Sequence, residues 1–165
     1  MQNPHHAPYP VIDTDPVFSR VVRYFRPTDY AVAAGITAVG PAFMYWMEKY
    51  QPSGNPGKPL MRAMKIAGGL GAMAGFCTAY MMVSARFWGL SENTREIKKY
   101  RAEYARLKAQ GKPINGISTL PLAMQRTAAS YSTGAFFNFD IIPWFNFTSH
   151  PYHGQSEGVI PEDEK

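Results

Sequence analysis

At 165 residues, with a formal net charge of +5 and one cysteine, the chain is bounded to at most one ordinary domain. The lone Cys77 excludes an internal disulfide framework and a cysteine metal cluster. The positive excess is local, with three arginines before one apolar run and a Lys/Arg block after another, a pattern of membrane flanks and not of a nucleic-acid surface.

The first segment, residues 1–29, opens on the Pro-rich stretch MQNPHHAPYPVIDT, which reads as extended chain. Residues 1–19 hold no Lys or Arg and no apolar run of h-region length, and Asp13 and Asp15 oppose the acidic-poor pattern of a cleavable transit peptide. Targeting information for an organelle is therefore expected to be internal. Asp15 is placed to cap a helix with Pro16 at its first position. On a helical wheel Val17, Phe18, Val21, Val22 and Phe25 share one face, while Arg20, Arg23 and Arg26 share the other, and Pro27 ends the element. Such a short basic amphipathic helix is expected to lie in a membrane interface with its arginines toward phosphates, or to pack on another subunit.

Residues 30–47, YAVAAGITAVGPAFMYWM, carry no charge and lie between Asp29 and Glu48. Pro41 is expected to kink this first span, and Tyr45, Trp46 and Tyr50 sit at its far end, where aromatic rings favour the lipid–water boundary. Residues 48–65 read as a connecting loop rich in Pro, Gly, Ser and Asn. Residues 66–85, IAGGLGAMAGFCTAYMMVSA, are a second charge-free run between Lys65 and Arg86. A helix rises about 1.5 Å per residue, so a run of this length reaches roughly 30 Å, the thickness of a bilayer's hydrocarbon core. The competing reading is a pair of buried helices in a soluble domain, which the Gly and Ala content keeps open.

Gly68, Gly71, Gly75 and Ala79 recur at three- and four-residue spacing in the second span. A small-residue ridge of this kind lets two helix backbones approach closely. Its expected partner is the first span through Ala31, Gly35 and Ala38, or a helix of another protein. Phe87 and Trp88 close the span at the interface. Asn93 and Glu96 suit a helix start, and residues 91–110 form a basic surface helix with the apolar stripe Ile97, Tyr100, Tyr104 and Leu107, stopped by Gly111 and Pro113. The tail, residues 111–165, lacks clear periodicity apart from a short helix at 120–131. Its aromatic stretch FFNFDIIPWFNF is too short and polar to span, and it reads as an extended strap docked on a neighbouring subunit or the lipid interface by Phe136, Phe137, Phe139, Trp144, Phe145 and Phe147.

An even number of spans puts both termini on one side. Within about 20 residues of the span ends, that side holds nine Lys and Arg against four in the loop. The positive-inside bias then puts both termini in the matrix, if the membrane is the mitochondrial inner membrane. Neither span contains an ionisable Asp, Glu, Lys, Arg or His, which argues against a transporter or proton relay. His150-Pro-Tyr-His153 has ligand-like spacing, but a proline-bearing tail offers no rigid helix face, and no metal or cofactor is expected.

The stretch Tyr9-Pro-Val-Ile-Asp13-x-Asp15-Pro16, followed by Arg20-Val-Val-Arg23-Tyr-Phe-Arg26-Pro27-x-Asp29-Tyr30, resembles the twenty-one-kilodalton type of accessory subunit of mitochondrial respiratory complex I, known in fungi with plant relatives. The resemblance implies a supernumerary subunit of the membrane arm, beside the core antiporter-like subunits, without redox centre, quinone site or catalytic residues. Its role would be assembly and stability of NADH:ubiquinone oxidoreductase. The expectation is therefore an all-α membrane protein: a two-helix transmembrane hairpin with an N-terminal amphipathic helix, a basic surface helix and an extended aromatic tail. Its partners would be core membrane-arm subunits and phospholipids, cardiolipin among them, with no nucleic acid and no small-molecule substrate. The rival is a glycine-rich membrane-shaping hairpin that self-oligomerises, in the manner of small MICOS proteins.

Overall fold

The computed structural model describes residues 7–54, 57–132, 145–153 and 159. Among them every regular element is helical: α1 Phe18–Arg23, α2 Pro27–Tyr50, α3 Lys58–Phe87, α4 Thr94–Ala109 and α5 Leu122–Ser132. The chain forms two compact units, Phe25–Tyr80 and the combination of Met1–Tyr24 with Met81–Lys165. Two helices, α2 and α3, are long and apolar enough to cross a membrane, and no residue in the apolar window of α2 is buried within the chain.

In the unit Phe25–Tyr80, α2 starts where Pro27 supplies a ready-made helical φ and needs no N–H partner. The Asp29 carboxylate accepts the Arg26 backbone N–H at 2.7 Å and so meets one of the donors a helix start leaves open. The helix α3 begins at Lys58, well before the charge-free run at Ile66. Pro59 is tolerated in a first turn, and the Met61 N–H closes that turn on the Gly57 carbonyl at 2.9 Å. The link between the helices is thus short, where composition suggested a loop over 48–65.

The two long helices touch at successive pairs that run in opposite directions. A Cβ on Gly75 would meet Ala33, one on Gly71 would meet Thr37, and Gly68 faces Pro41. The helices are therefore antiparallel, with backbone against backbone. Pro41 has no N–H to give the Thr37 carbonyl its usual partner four residues on, and Gly71 approaches at that carbonyl. A glycine Cα–H there can make the weak contact to oxygen that recurs at close helix crossings. The contacting face of α2 is Ala33, Ile36, Thr37, Gly40 and Pro41, not the expected Ala31, Gly35 and Ala38. Those three are exposed, and Gly35 has nothing near its Cβ direction. Outward-facing Val39, Phe43, Trp46, Ile66, Leu70 and Met73 leave a broad apolar surface.

The second unit is built around the end of α3, whose last carbonyls are all accounted for. Gly89, at φ +69°, bonds the Arg86 carbonyl at 3.2 Å, and the Leu90 N–H reaches the Ala85 carbonyl at 2.9 Å, a Schellman cap. The Trp88 N–H bonds Ser84, while the Ile12 and Asp13 N–H groups reach the Phe87 carbonyl at 2.8 and 3.3 Å. The extended N-terminal segment thus completes the helix end. Phe87 is fully buried beneath Tyr24, ring centroids 5.0 Å apart. Trp88, expected at a lipid boundary, is buried instead, because the left-handed Gly89 turns the chain back over it.

A second Schellman cap ends α4: Gly111 bonds Lys108, and the Lys112 N–H bonds Leu107 at 2.9 Å. At its start Asn93 makes no side-chain cap. Its amide donates instead to the carbonyls of Pro10 and Arg86, at 2.7 and 2.8 Å. Glu96 forms a buried pair with Arg86 at 3.8 Å.

Candidate functional site, a buried carboxylate cluster

The element with the most concentrated polar chemistry lies in the N-terminal segment. Asp13 and Asp15 are 2 and 3 % exposed. A buried carboxylate costs several kcal/mol unless it is paired and hydrogen-bonded. Here all four oxygens have partners. Asp13 Oδ1 accepts the Asp15 backbone N–H at 2.8 Å and lies 3.0 Å from His153 Nδ1, and Asp13 Oδ2 accepts Arg20 Nη1 at 3.1 Å. Asp15 Oδ1 accepts Asn146 Nδ2 at 2.7 Å. Asp15 Oδ2 accepts Ser132 Oγ at 2.5 Å and sits 2.7 Å from His150 Nε2. The imidazoles of His150 and His153 stack, centroids 4.7 Å apart.

Three stretches distant in sequence meet on these two aspartates. Residues 13–15 supply the acceptors, the end of α5 supplies Ser132, and the tail supplies Asn146, His150 and His153. The Phe18 N–H adds a backbone bond to the Asn146 carbonyl at 2.7 Å. Phe18 also packs its ring edge-on against Phe145, centroids 5.6 Å apart, and tilted by 36° against Phe147, centroids 4.9 Å apart.

Arg20 departs from the interfacial role expected of it. It is 4 % exposed, and besides Asp13 its guanidinium donates to Asn115 Oδ1 at 2.8 Å and to the Ile114 carbonyl. The physical reason is that α1 starts only at Phe18, with Val17 and not Asp15 at its N-cap, so Asp15 and Pro16 lie outside the helix. Asp13, upstream of the helix, then captures Arg20, a partner no wheel can display. Arg23 stays largely exposed and pairs with Glu103 at 3.6 Å, and Arg26 is half-buried at the start of α2.

Beside this lies a phenol network. Tyr24 Oη donates to Glu103 Oε2 at 2.8 Å, and Lys99 Nζ sits 4.2 Å from the centre of the Tyr24 ring while donating to the Arg23 carbonyl at 2.5 Å. Burial, then the bond to Glu103 and its charge, push the Tyr24 phenol well above its ordinary range. Burial pulls the Lys99 ammonium down.

The structure places Gly71 and Gly75 against the α2 backbone, Gly68 against Pro41, and Ala79 fully buried. Trp46 is 52 % exposed. Of the expected docking aromatics, Phe145 turns partly inward against Phe18 and Phe147 is 71 % exposed. Phe136, Phe137, Phe139 and Trp144 lie outside the described residues. No group of three metal-ligating side chains is arranged for an ion among the described residues. The four aspartate oxygens are saturated from within the chain and closed to solvent, while the buried ring nitrogens His150 Nδ1 and His153 Nε2 have no hydrogen-bond partner among the described residues. The cluster is a fastening. The sequence offers Asp13 and Asp15 as evidence on targeting and capping and as part of the motif that carries the family resemblance, not as a fastening; the Asp-x-Asp spacing followed by an arginine was the available signal.

Two family models match consecutive stretches of the chain. The family described as NADH-ubiquinone oxidoreductase complex I, 21 kDa subunit, matches residues 6–92. The family described as the C-terminal of NADH-ubiquinone oxidoreductase 21 kDa subunit matches residues 95–158. A Neurospora crassa protein, the NADH-ubiquinone oxidoreductase 20.9 kDa subunit, is 41 % identical over 146 residues, covering 88 % of this chain and 77 % of the relative. The chain belongs to the 21 kDa subunit family of NADH-ubiquinone oxidoreductase complex I.

Proposed function

We propose that the chain is a non-catalytic accessory subunit of the membrane arm of mitochondrial complex I, where it supports assembly and stability. The observation that carries this is the pair of family matches, which together run from residue 6 to residue 158. Membership makes it a structural component of a larger oxidoreductase in the mitochondrial inner membrane, and both matches leave the self-oligomerising hairpin without support.

In this reading α2 and α3 cross the bilayer as a hairpin. The ridge Gly68, Gly71, Gly75 and Ala79 holds the two helices together, and the outward apolar residues face lipid or core-subunit helices. Arg23, Arg26 and Trp46 mark the lipid–water boundary, with acidic phospholipid such as cardiolipin beside them. The tail docks on a neighbouring subunit through Phe147 and the other aromatics of 136–147. Both termini face the matrix, on the side with the larger Lys/Arg count.

The test is a C-terminal tag on the chain, mild detergent extraction of mitochondria and a native gel stained for NADH dehydrogenase. Comigration with the large active assembly is the expected result. A ladder of self-oligomers, or release as a monomer by carbonate, would overturn the proposal. Protease treatment of mitoplasts should leave the tag intact if the termini face the matrix.

A further inference from the structure

Within the unit that holds α1 and α4 there is a cleft of about 390 Å³, between α1, the second half of α4 and the turn 112–117. That volume falls in the ~300–1,000 Å³ range of small-molecule sites. Its charged lining is Arg20, Arg23, Arg106 and Lys112 against Glu103 alone. Arg20 is neutralised by Asp13 behind it, and Arg23 by Glu103. Arg106 and Lys112 have no ion-pair or hydrogen-bonding partner among the described residues, so the cleft keeps two uncompensated cations.

Attraction to a helix C-terminus explains cations on the last turn of α4, such as Arg106. It does not explain Lys112, which the Schellman cap carries beyond the helix and folds into the cleft wall. A second observation points the same way. Arg20 lines the cleft at 4 % exposure, yet its Nε–H has no acceptor among the described residues. Buried donors are nearly always satisfied, and a guanidinium with a spare N–H is a natural partner for an oxyanion. Ser19 and Ser149 belong to the same lining. Leu107, Ile114 and Ile117 make the rest of the wall apolar, and Ile117 is 82 % exposed.

We propose that this cleft binds a phosphate group, with Arg106 and Lys112 as the principal ligands. The phosphate belongs either to an acidic phospholipid headgroup or to a small soluble phosphate. The proposal does not depend on the subunit assignment, because it concerns the chain's own surface.

The test is isothermal titration calorimetry of the full chain in neutral detergent micelles. The probes are inorganic phosphate, a short-chain phosphatidic acid and, as neutral control, the corresponding phosphatidylcholine. Saturable binding of the anionic probes and none of the neutral one is expected. The double variant Arg106→Ala/Lys112→Ala should weaken it by about tenfold or more. Both side chains are exposed, and circular dichroism checks that the fold persists. The double variant Arg62→Ala/Lys65→Ala, on the exposed start of α3, should bind like the parent chain. Phosphatidic acid binding about tenfold tighter than inorganic phosphate identifies the lipid as source; equal affinity identifies the soluble ion. No saturable binding of either anion, or equal loss in the Arg62/Lys65 variant, overturns the site.

Discussion

Gly75 lies so close to Ala33 that a Cβ added to it would sit 2.5 Å from the Ala33 carbonyl oxygen and 3.0 Å from its Cα. The atoms it would meet are backbone, which cannot swing aside. Gly75→Leu must therefore separate α2 from α3, and overpacking alone costs about 1–3 kcal/mol. Loss of the subunit from native-gel complexes is expected, with unchanged turnover in whatever enzyme still assembles. Gly69→Ala is the matched control. With nothing within 4 Å of its Cβ direction, it should be neutral or slightly stabilising.

Asp15→Ala removes the acceptor shared by Ser132, Asn146 and His150. Stranding these donors in a buried place should cost roughly 3 kcal/mol or more. The effect should appear far from the substitution, as faster amide hydrogen exchange and protease cleavage across residues 145–153. Ser132→Ala, which deletes one donor and leaves the other two, should cost about 1 kcal/mol.

Tyr24 gives a pH signature. Its phenol is raised above the ordinary 10.0, so the folded chain holds a proton that the unfolded chain gives up near that pH. The associated stability is whole below pH 10.0 and declines as pH climbs past it. Lys99, pulled down, acts with the opposite sign: its penalty is relieved as pH rises. Comparison with Tyr24→Phe isolates the phenol. That variant should lose about 1 kcal/mol at neutral pH and show a flatter alkaline decline in thermal midpoint.

Gly89 and Gly111 both end helices at positive φ, +69° and +65°. An alanine in that conformation costs about 1–2 kcal/mol at either place. At Gly89 its Cβ would also collide with the Tyr9 carbonyl, whereas at Gly111 it meets nothing. Gly89→Ala should therefore lower the thermal midpoint markedly more than Gly111→Ala, and the difference measures the docking of residues 9–13 on the end of α3.

The two long apolar helices were legible because an uncharged run between charges is a local property, and so was the end of α4, where Gly111 and Pro113 announce a stop. The small-residue ridge was legible on α3 but not on α2, where the facing set Ala33, Thr37 and Pro41 includes a threonine and a proline that a search for small residues passes over. Arg20 and Trp88 were misplaced for a common reason. Each is buried by a segment outside its own helix, Asp13 in one case and the turn at Gly89 in the other. Apart from Arg20, the side chains that close the aspartate fastening could not be found by pattern reading, because Ser132, Asn146, His150 and His153 lie 117 to 140 residues away and carry no periodicity.

That separation orders the life of the molecule. The contacts of α2 with α3 close over a few dozen residues, so the pair can form while synthesis or import is still under way. Asp13 and Asp15, made before the tail, stay without their histidines until position 153 has followed, and a long loop closes at an entropic cost that grows with its length. Trimming the tail would thus be felt first around residues 13–15, where Asp13 would keep Arg20 and Asp15 would keep Ser132 while water replaced the lost imidazoles in the wall around Phe87.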